Sequence, residues 1–278
     1  MIQVWYHANC SDGLLAAWLF RCHFPSAVFV PVQYGQDPPL TCAYDTVFIV
    51  DFSYPRRVME ELTKRCASVL VLDHHKSAER NLEGLPNCVF DMSKSGCRLA
   101  YEYLLKQGVS FSRPVSVVVD LVEARDLGKF DDERAQMFAV GLRSYPIIFD
   151  TLDAMHQEPA WVDRLCREGQ IISRYRTELV KQHVKKARTC RLADVAGLAV
   201  PCSCPDIFSE VGRDLAILSE RYGAVWYETP ENYVFSLRAD GNCDVSKIAE
   251  RYGGGGHQNA AGFIIPKNNY DRYQLPLG

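Results

Sequence analysis

Long apolar runs, surplus positive charge and low-complexity segments are all missing from this sequence. No stretch of the 278 residues reaches 18 consecutive apolar positions, so no membrane span is expected. Lys and Arg (31) do not exceed Asp and Glu (34), and the net charge is −3. Proteins that hold long nucleic acids usually carry a basic surplus. Hydrophobic residues at 47% exclude a disordered chain, and the charge balance disfavours a long nucleic acid as partner.

A secretory leader is also not recognisable. Met1–Tyr6 has no basic residue or small-residue cleavage site, and the pattern predicts the first core strand instead. We therefore expect a cytoplasmic protein whose 11 cysteines are reduced thiols. Cys202 and Cys204 form a tight pair, but no second pair or histidine stands at ligand spacing, which disfavours zinc.

Short apolar runs alternate with helical patterns through the first half of the chain. The runs lie at 1–6, 28–32, 46–50, 68–72 and 89–90. This alternation predicts an α/β fold with a doubly wound, mainly parallel sheet in an N-terminal domain. A charge-rich helix is predicted from about Pro159 to Arg191, followed by a smaller α/β C-terminal domain. We expect a catalytic domain at 1–150, a helical linker at 151–191 and a substrate-binding domain at 192–278.

Ligand-type residues follow three of the predicted parallel strands. His7 follows the first, Asp51 ends another, and Asp73-His74-His75 directly follows a third. Imidazoles with an oriented carboxylate suit Mn, Fe, Co or Zn, and a carboxylate can bridge two cations. Alternatively, Asp51 only caps a turn. These strand ends meet at one edge of a parallel sheet, where α/β proteins place their chemistry.

Further ligand candidates are two acids in loops. Asp12 has the right side chain for a divalent metal, although an Asp-Gly turn is the plainer interpretation. Asp126 is a second candidate, and Asp120 competes with it but falls inside an apolar, helix-like run.

A glycine run near the C-terminus predicts a phosphate contact. Gly253–Gly256 would let backbone N–H groups approach a phosphate, and His257 adds a donor. No Walker or dinucleotide-binding pattern is present, and a flexible linker is the alternative. With the acids and histidines, this pattern indicates two-metal hydrolysis of a phosphoester.

The motifs, in this order, resemble those of the DHH phosphoesterases with a DHH-associated C-terminal domain. The segments that carry the resemblance are His7–Gly13, Val50–Ser53, Asp73–His75, Asp126–Phe130 and Gly253–Phe263. Members of this family include nanoRNases, 3′-phosphoadenosine 5′-phosphate phosphatases, RecJ-like exonucleases and dinucleotide phosphodiesterases. The resemblance implies that the active site lies in the cleft between the two domains.

The resemblance also implies residue roles. Asp51 would bridge two manganese ions, with His7 on the first and Asp12, His74 and Asp126 on the second. Asp73 would orient the site, and His75 would contact the substrate phosphate or assist the leaving group. The remaining substrate-binding residues would be Arg98, Arg238, Gly254, Gly255, Gly256 and His257.

One position departs from the family pattern. Cys10 stands where the family has the first acid of an Asp-x-Asp pair. Either Cys10 coordinates as a thiolate, or the first metal is held more weakly.

We therefore expect a divalent-metal-dependent phosphodiesterase that converts dinucleotides or very short oligoribonucleotides to nucleoside 5′-monophosphates. The alternatives are a phosphatase or pyrophosphatase of a small compound, such as 3′-phosphoadenosine 5′-phosphate or polyphosphate, and a cyclic or linear dinucleotide signalling phosphodiesterase. A nucleotide-binding module with an impaired first metal site is the non-enzymatic alternative. A homodimer is possible.

Overall fold

The computed structural model describes residues 1–41, 43, 45–129, 131–158 and 160–269. The strands are β1 (Ile2–His7), β2 (Val28–Val32), β3 (Thr46–Val50), β4 (Ser68–Asp73), β5 (Cys88–Phe90), β6 (Arg188–Leu192), β7 (Val195–Pro201), β8 (Tyr222–Glu228), β9 (Asn232–Ala239), β10 (Gly255–His257) and β11 (Ala260–Pro266). The α-helices are α1 (Ser11–His23), α2 (Arg56–Arg65), α3 (Lys76–Asn81), α4 (Gly96–Lys106), α5 (Arg113–Asp126), α6 (Glu133–Leu142), α7 (Phe149–Gln157), α8 (Trp161–Val184), α9 (Phe208–Ser219) and α10 (Val245–Glu250). No helix in these ranges is both long and apolar enough to cross a membrane. Phe130 and Pro159, which the sequence analysis uses, lie outside the described residues.

The first compact unit, Met1–Ser173, is built on a parallel five-stranded sheet. Its strand order is β2-β1-β3-β4-β5, which confirms the predicted fold class. The central strand β3 (TVFIV) is almost completely buried because helices cover both faces of a parallel sheet. One core cluster packs α1, α4 and α5 on one face, and a second contains residues of α2 on the other.

The strand order positions the candidate site. From β1 the chain passes to β2 on one side, and β3, β4 and β5 follow on the other side. The loops after β1 and β3 therefore diverge, and this switch point is where open α/β sheets bind their ligands. Tyr6 pairs with Val50, and Val50 pairs with Leu72, so the three strands end level with one another.

Residues 151–158 and 160–173 pack into the first unit, whereas the sequence predicts a helical linker at 151–191. Leu152 and Leu165 belong to the first core cluster. Gly169 allows α8 to lie directly on α6, because a Cβ there would stand 1.7 Å from the Met137 carbonyl oxygen. The division between the units falls at Ser173, inside α8.

The second compact unit, Arg174–Gly278, contains a mixed six-stranded sheet of order β10-β11-β9-β8-β7-β6. Only the β7–β8 pair is parallel among these neighbours. Phe235 stacks on Phe263 at 4.6 Å, and Tyr252 stacks on Phe263 at 4.5 Å. Phe235 and Phe263 belong to the buried core of this unit, and Tyr252 packs against it.

The predicted helix to Arg191 is wrong at its C-terminal end. The helix α8 stops at Val184, and Arg188–Leu192 forms β6 against β7. Cys190 and Leu192 are buried while their neighbours are exposed, which is the alternation of a strand. The lysines and arginines of this segment can lie on the solvent-exposed face of a helix or of a strand, so charge alone does not distinguish the two.

Candidate metal centre

The candidate centre lies at the carboxyl ends of β1, β3 and β4. His7 is the last residue of β1, Asp51 follows β3, and Asp73 ends β4 immediately before His74 and His75. The backbone N–H of Asp51 donates to the Leu72 carbonyl at 2.9 Å, which continues the ladder past β3. The register thus brings together residues that are far apart in the sequence.

Asp51 lies between two imidazoles. Its Oδ1 is 3.2 Å from His74 Nε2, and its Oδ2 is 3.5 Å from His7 Nδ1. Burial opposes ionisation, but contacts with the two imidazoles outweigh it and lower the Asp51 pKa to about 2. Oδ2 is buried without a hydrogen-bond partner among the described residues, which is costly unless a cation or water satisfies it.

Two groups of potential ligand atoms surround this carboxylate. His7, Asp51 and His75 form one group, and Asp12, His74 and Asp126 form the other. The ligand atoms of each group lie within 4.8 Å of one another. His74 Nε2 is 3.8 Å from Asp12 Oδ2 and 3.4 Å from Asp126 Oδ2. Imidazole and carboxylate sets of this kind fit divalent cations such as Mn²⁺.

Asp12 also accepts hydrogen bonds from the start of a helix, a role that no local sequence pattern indicates. Its Oδ2 accepts from the Gly96 N–H at 2.7 Å, and its Oδ1 accepts from the Cys97 N–H at 2.9 Å. Asp12 therefore satisfies the N-terminal amides of α4, whose positive dipole end favours a carboxylate. Burial first, and then the charges of Asp51 and Asp126, raise the Asp12 pKa to about 8.

Asp73 orients the neighbouring histidine. It is fully buried, and its Oδ2 accepts from Ser53 Oγ at 2.5 Å. His75 Nδ1 donates to Asp73 Oδ1 at 2.6 Å, and this hydrogen bond raises the His75 pKa. Because Nδ1 is engaged, Nε2 is the nitrogen left to face the site. His75 therefore lies in the ligand group of His7 and Asp51. The resemblance implies a different role for it, at the substrate.

Cys10 belongs to neither ligand group within the described part of the chain. It stands directly before α1, and burial, followed by the Asp51 charge, raises its pKa to about 12. Burial and the neighbouring carboxylates therefore favour the protonated thiol, whereas a bound cation would favour the thiolate.

Arg98 is engaged by acids on α5. Its Nε donates to Glu123 Oε2 at 3.1 Å, and its guanidinium also contacts Asp120. Asp120, the competing metal candidate, is thus paired with Arg98, and Asp126 is the member of the second ligand group. The resemblance implies that Arg98 contacts the substrate. It would do so either with these two ion pairs intact or after they break.

The phosphate-binding candidates of the second unit lie on β9 and β10. Arg238 donates to Ser236 Oγ at 3.1 Å and to Ser209 Oγ at 3.0 Å, so its guanidinium is held in place. His257 is exposed at the end of β10. Gly255 and Gly256 of the glycine run belong to β10 and pair with β11. This part of the run is therefore a strand and not a flexible linker.

Tyr34 is a neighbour of the centre that sequence patterns do not reveal. Its ring centroid is 5.6 Å from that of His7 and 4.6 Å from that of Phe52. The ring is 57% exposed, and no spacing or motif marks it in the sequence.

The second unit matches a known domain family. Residues 209–274 match the DHHA1 domain. Uncharacterized protein R106 of Acanthamoeba polyphaga mimivirus is 24% identical over 288 residues, covering 94% of this chain and 67% of that protein.

Solved structures share the fold. The pGpG-specific phosphodiesterase PggH of Vibrio cholerae has a TM-score of 0.56 at 16% identity, covering 98% of this chain and 96% of that one. The exonuclease RecJ bound to manganese also has a TM-score of 0.56, at 14% identity, covering 98% and 88%. RecJ of Thermus thermophilus in complex with Mn²⁺ has a TM-score of 0.50 at 15% identity, covering 98% and 50%.

Proposed function

We propose that this DHH-family phosphoesterase, a metal-dependent enzyme with a DHHA1 domain, cleaves the phosphodiester bond of dinucleotides and very short oligoribonucleotides. Its products would be nucleoside 5′-monophosphates. The observation that carries the proposal is Asp51, a buried carboxylate whose two oxygens face two separate groups of ligand atoms.

The residues of the chain would hold two divalent ions. Asp51 would be shared between them, with His7 helping to hold one ion and Asp12, His74 and Asp126 helping to hold the other, while His75 stays free for the substrate. Two bound cations lower the pKa of a water and neutralise phosphoryl oxygens. The mixed imidazole and carboxylate donors suit Mn²⁺ as well as Fe, Co or Zn. The manganese bound to RecJ, which shares the fold, supports Mn²⁺ as the ion to test first.

Asp73 and His75 would form the proton-handling pair. Asp73 stabilises the imidazolium of His75 through the Nδ1 hydrogen bond, so Nε2 can donate a proton to the oxygen that leaves phosphorus. In the second unit, His257, Arg238 and the glycine run would hold a terminal phosphate.

A short substrate is supported by the charge of the whole chain. A long polymer is held by many phosphate contacts, which release counterions and need a surplus of Lys and Arg. This chain has 31 basic and 34 acidic residues. The name of PggH, a pGpG-specific phosphodiesterase, makes a linear signalling dinucleotide a second candidate.

The test is a turnover panel with Mn²⁺. It compares a ribodinucleotide, pGpG, a five-nucleotide RNA, long single-stranded DNA, 3′-phosphoadenosine 5′-phosphate and polyphosphate. We expect kcat/KM to be highest for the dinucleotides and the short RNA. Turnover of polyphosphate alone, or of long DNA in preference to the dinucleotides, contradicts the proposal.

Asp51→Asn is the matched inactive variant. The amide keeps the shape of the side chain but removes the bridging charge, so we expect a loss of about a thousandfold or more in kcat. Asp163→Asn is the control, since Asp163 is an exposed residue of α8 in neither ligand group and should leave the rate nearly unchanged.

A further inference from the structure

A cavity of about 300 Å³ opens beside Asp126 within the first unit. Its walls come from the loop before α1, the C-terminal ends of α5 and α6, the α6–α7 loop and the start of α7. We call it the Asp126 cavity. It adjoins the second ligand group, yet most of its lining side chains have no part in that group.

The floor of the Asp126 cavity is aliphatic. Leu14, Val122, Leu142 and Leu152 line it, and each is at most 9% exposed. They come from four different helices, so the floor is held by the core and not by a loop. A rigid apolar floor of this kind suits one face of a flat aromatic ring, which gains free energy in proportion to the apolar area it buries.

The rim of the cavity is polar and positively charged. Asn9, Ser11, Arg125 and Arg143 line it, and Asp126 is the one carboxylate among the described lining residues. An amide side chain can pair with the edge of a nucleobase, and a guanidinium can hold phosphate or stack on a base. Arg143 and Asn9 are both exposed at the surface, where a ligand can reach them.

The size of the cavity limits its occupant. Small-molecule sites span about 300–1,000 Å³, so this cavity is at the lower end of that range. That volume suits a single nucleoside, whereas two stacked nucleotides need more room. An aliphatic floor, a hydrogen-bonding rim and guanidinium groups together match a nucleoside better than they match an apolar molecule or a free anion.

We propose that the Asp126 cavity binds one of the two nucleosides joined by the scissile phosphate. The base would lie on the aliphatic floor, and Arg143 would contact the ribose or the next phosphate along the chain. The cavity would therefore select nucleotide diesters over simple phosphodiesters. This inference rests on the proposed function for its catalytic meaning, but nucleoside binding can be tested separately.

The main test fills the cavity. Ala139 lines it on α6 and is only partly buried, so Ala139→Phe would put a ring into the space that the base needs. Ala154→Phe is the matched control, because Ala154 is an exposed residue of α7 outside the lining. Binding of adenosine, which carries no phosphate, is measured by calorimetry or saturation-transfer NMR.

We expect Ala139→Phe to raise the Kd for adenosine by about tenfold or more, equal to about 1.4 kcal/mol, with Ala154→Phe close to the wild type. No adenosine binding by the wild type, or unchanged binding by Ala139→Phe, overturns the inference. This readout does not depend on turnover, so it decides the cavity even if the proposed function fails.

Kinetics give the second arm. Ala139→Phe should raise KM for a ribodinucleotide by about tenfold but leave kcat/KM for bis(p-nitrophenyl) phosphate within about twofold, because that diester has no nucleoside. Equal losses on both substrates count against the cavity.

Arg143→Ala, at an exposed position that the fold tolerates, should raise the dinucleotide KM about tenfold, and Arg57→Ala is its control. An unchanged KM for Arg143→Ala contradicts the assigned role of Arg143.

Discussion

At the scale of single residues, crowded negative charge defines this protein. Asp12, Asp51 and Asp126 contact the same imidazole, His74. Asp51 also adopts a left-handed backbone conformation, with φ of +54°, which is strained for a residue with a side chain. Such strain and charge crowding persist where a site needs the geometry, and divalent ions would relieve the repulsion.

Cys10 occupies the position where the family has a metal-binding acid, and a variant can test whether Cys10 itself binds metal. It belongs to neither ligand group of the described residues, and burial beside Asp51 raises the pKa of its thiol. We therefore expect Cys10→Ser to keep two bound Mn²⁺ and to retain turnover within about threefold, because it removes no ligand. Calorimetric Mn²⁺ titration checks this result. A 10–100-fold loss of metal affinity would instead identify Cys10 as a thiolate ligand.

Cys10→Asp is the complementary variant. It adds a carboxylate beside Asp12 and Asp51, whose charges already raise the Cys10 pKa. Like charges destabilise one another, so the variant should have a lower Tm than the wild type in EDTA and a smaller deficit in Mn²⁺.

At the scale of elements, the N-terminus of α4 is part of the centre. Its first two amides donate to Asp12, and its first residue is a glycine because no larger residue fits. A Cβ on Gly96 would lie 2.5 Å from the Asp51 Cβ. The helix thus fixes both the angle of one ligand and the space available to another.

Gly96→Ala should disturb the fold and the centre together. Inserting a methyl group at this distance forces α4 or the Asp51 loop to move, which costs about 1–3 kcal/mol of unfolding free energy. We also expect weaker Mn²⁺ binding, measured by calorimetry beside urea unfolding. A variant with wild-type stability and metal affinity would show that the α4 contact is unimportant.

The glycine run offers a paired test of packing against binding. A Cβ on Gly254 would be 2.1 Å from the Gly262 carbonyl oxygen, whereas a Cβ on Gly255 would have no neighbour within 4 Å. Gly254→Ala should therefore lower the Tm, and Gly255→Ala should leave it nearly unchanged. If the run approaches a substrate phosphate, Gly255→Ala raises KM without changing stability. An unchanged KM would assign the glycines to sheet packing alone.

At the scale of the whole molecule, the chain divides its work between two compact units. Both ligand groups lie in Met1–Ser173, and the DHHA1 match lies in Arg174–Gly278. Each unit has its own sheet and hydrophobic core. Metal binding should therefore stabilise the first unit directly.

Removing metal should lower the thermal stability of the first unit. A ligand present at 1,000 times its Kd stabilises the folded state by about 4 kcal/mol. We expect calorimetric scans in Mn²⁺ and in EDTA to differ by several degrees in the transition of residues 1–173. Asp51→Asn should largely lose this difference. Equal Tm values for the wild type in Mn²⁺ and EDTA would contradict the metal centre.

Local sequence patterns are enough to predict the parallel sheet, the strand-end position of His7, Asp51 and Asp73, and the glycine-histidine segment. These features are readable because strand burial and turn chemistry are encoded in a few adjacent residues. The folded structure was needed to show that Asp12 caps a helix 84 positions later, that Arg98 pairs with Glu123, and that the α6–α7 segment helps to enclose a cavity. Those outcomes depend on contacts between residues distant in the chain, whose energies no local pattern records. The same reason explains the end of α8, where pairing of β6 with β7 outweighs the charge-rich helical pattern.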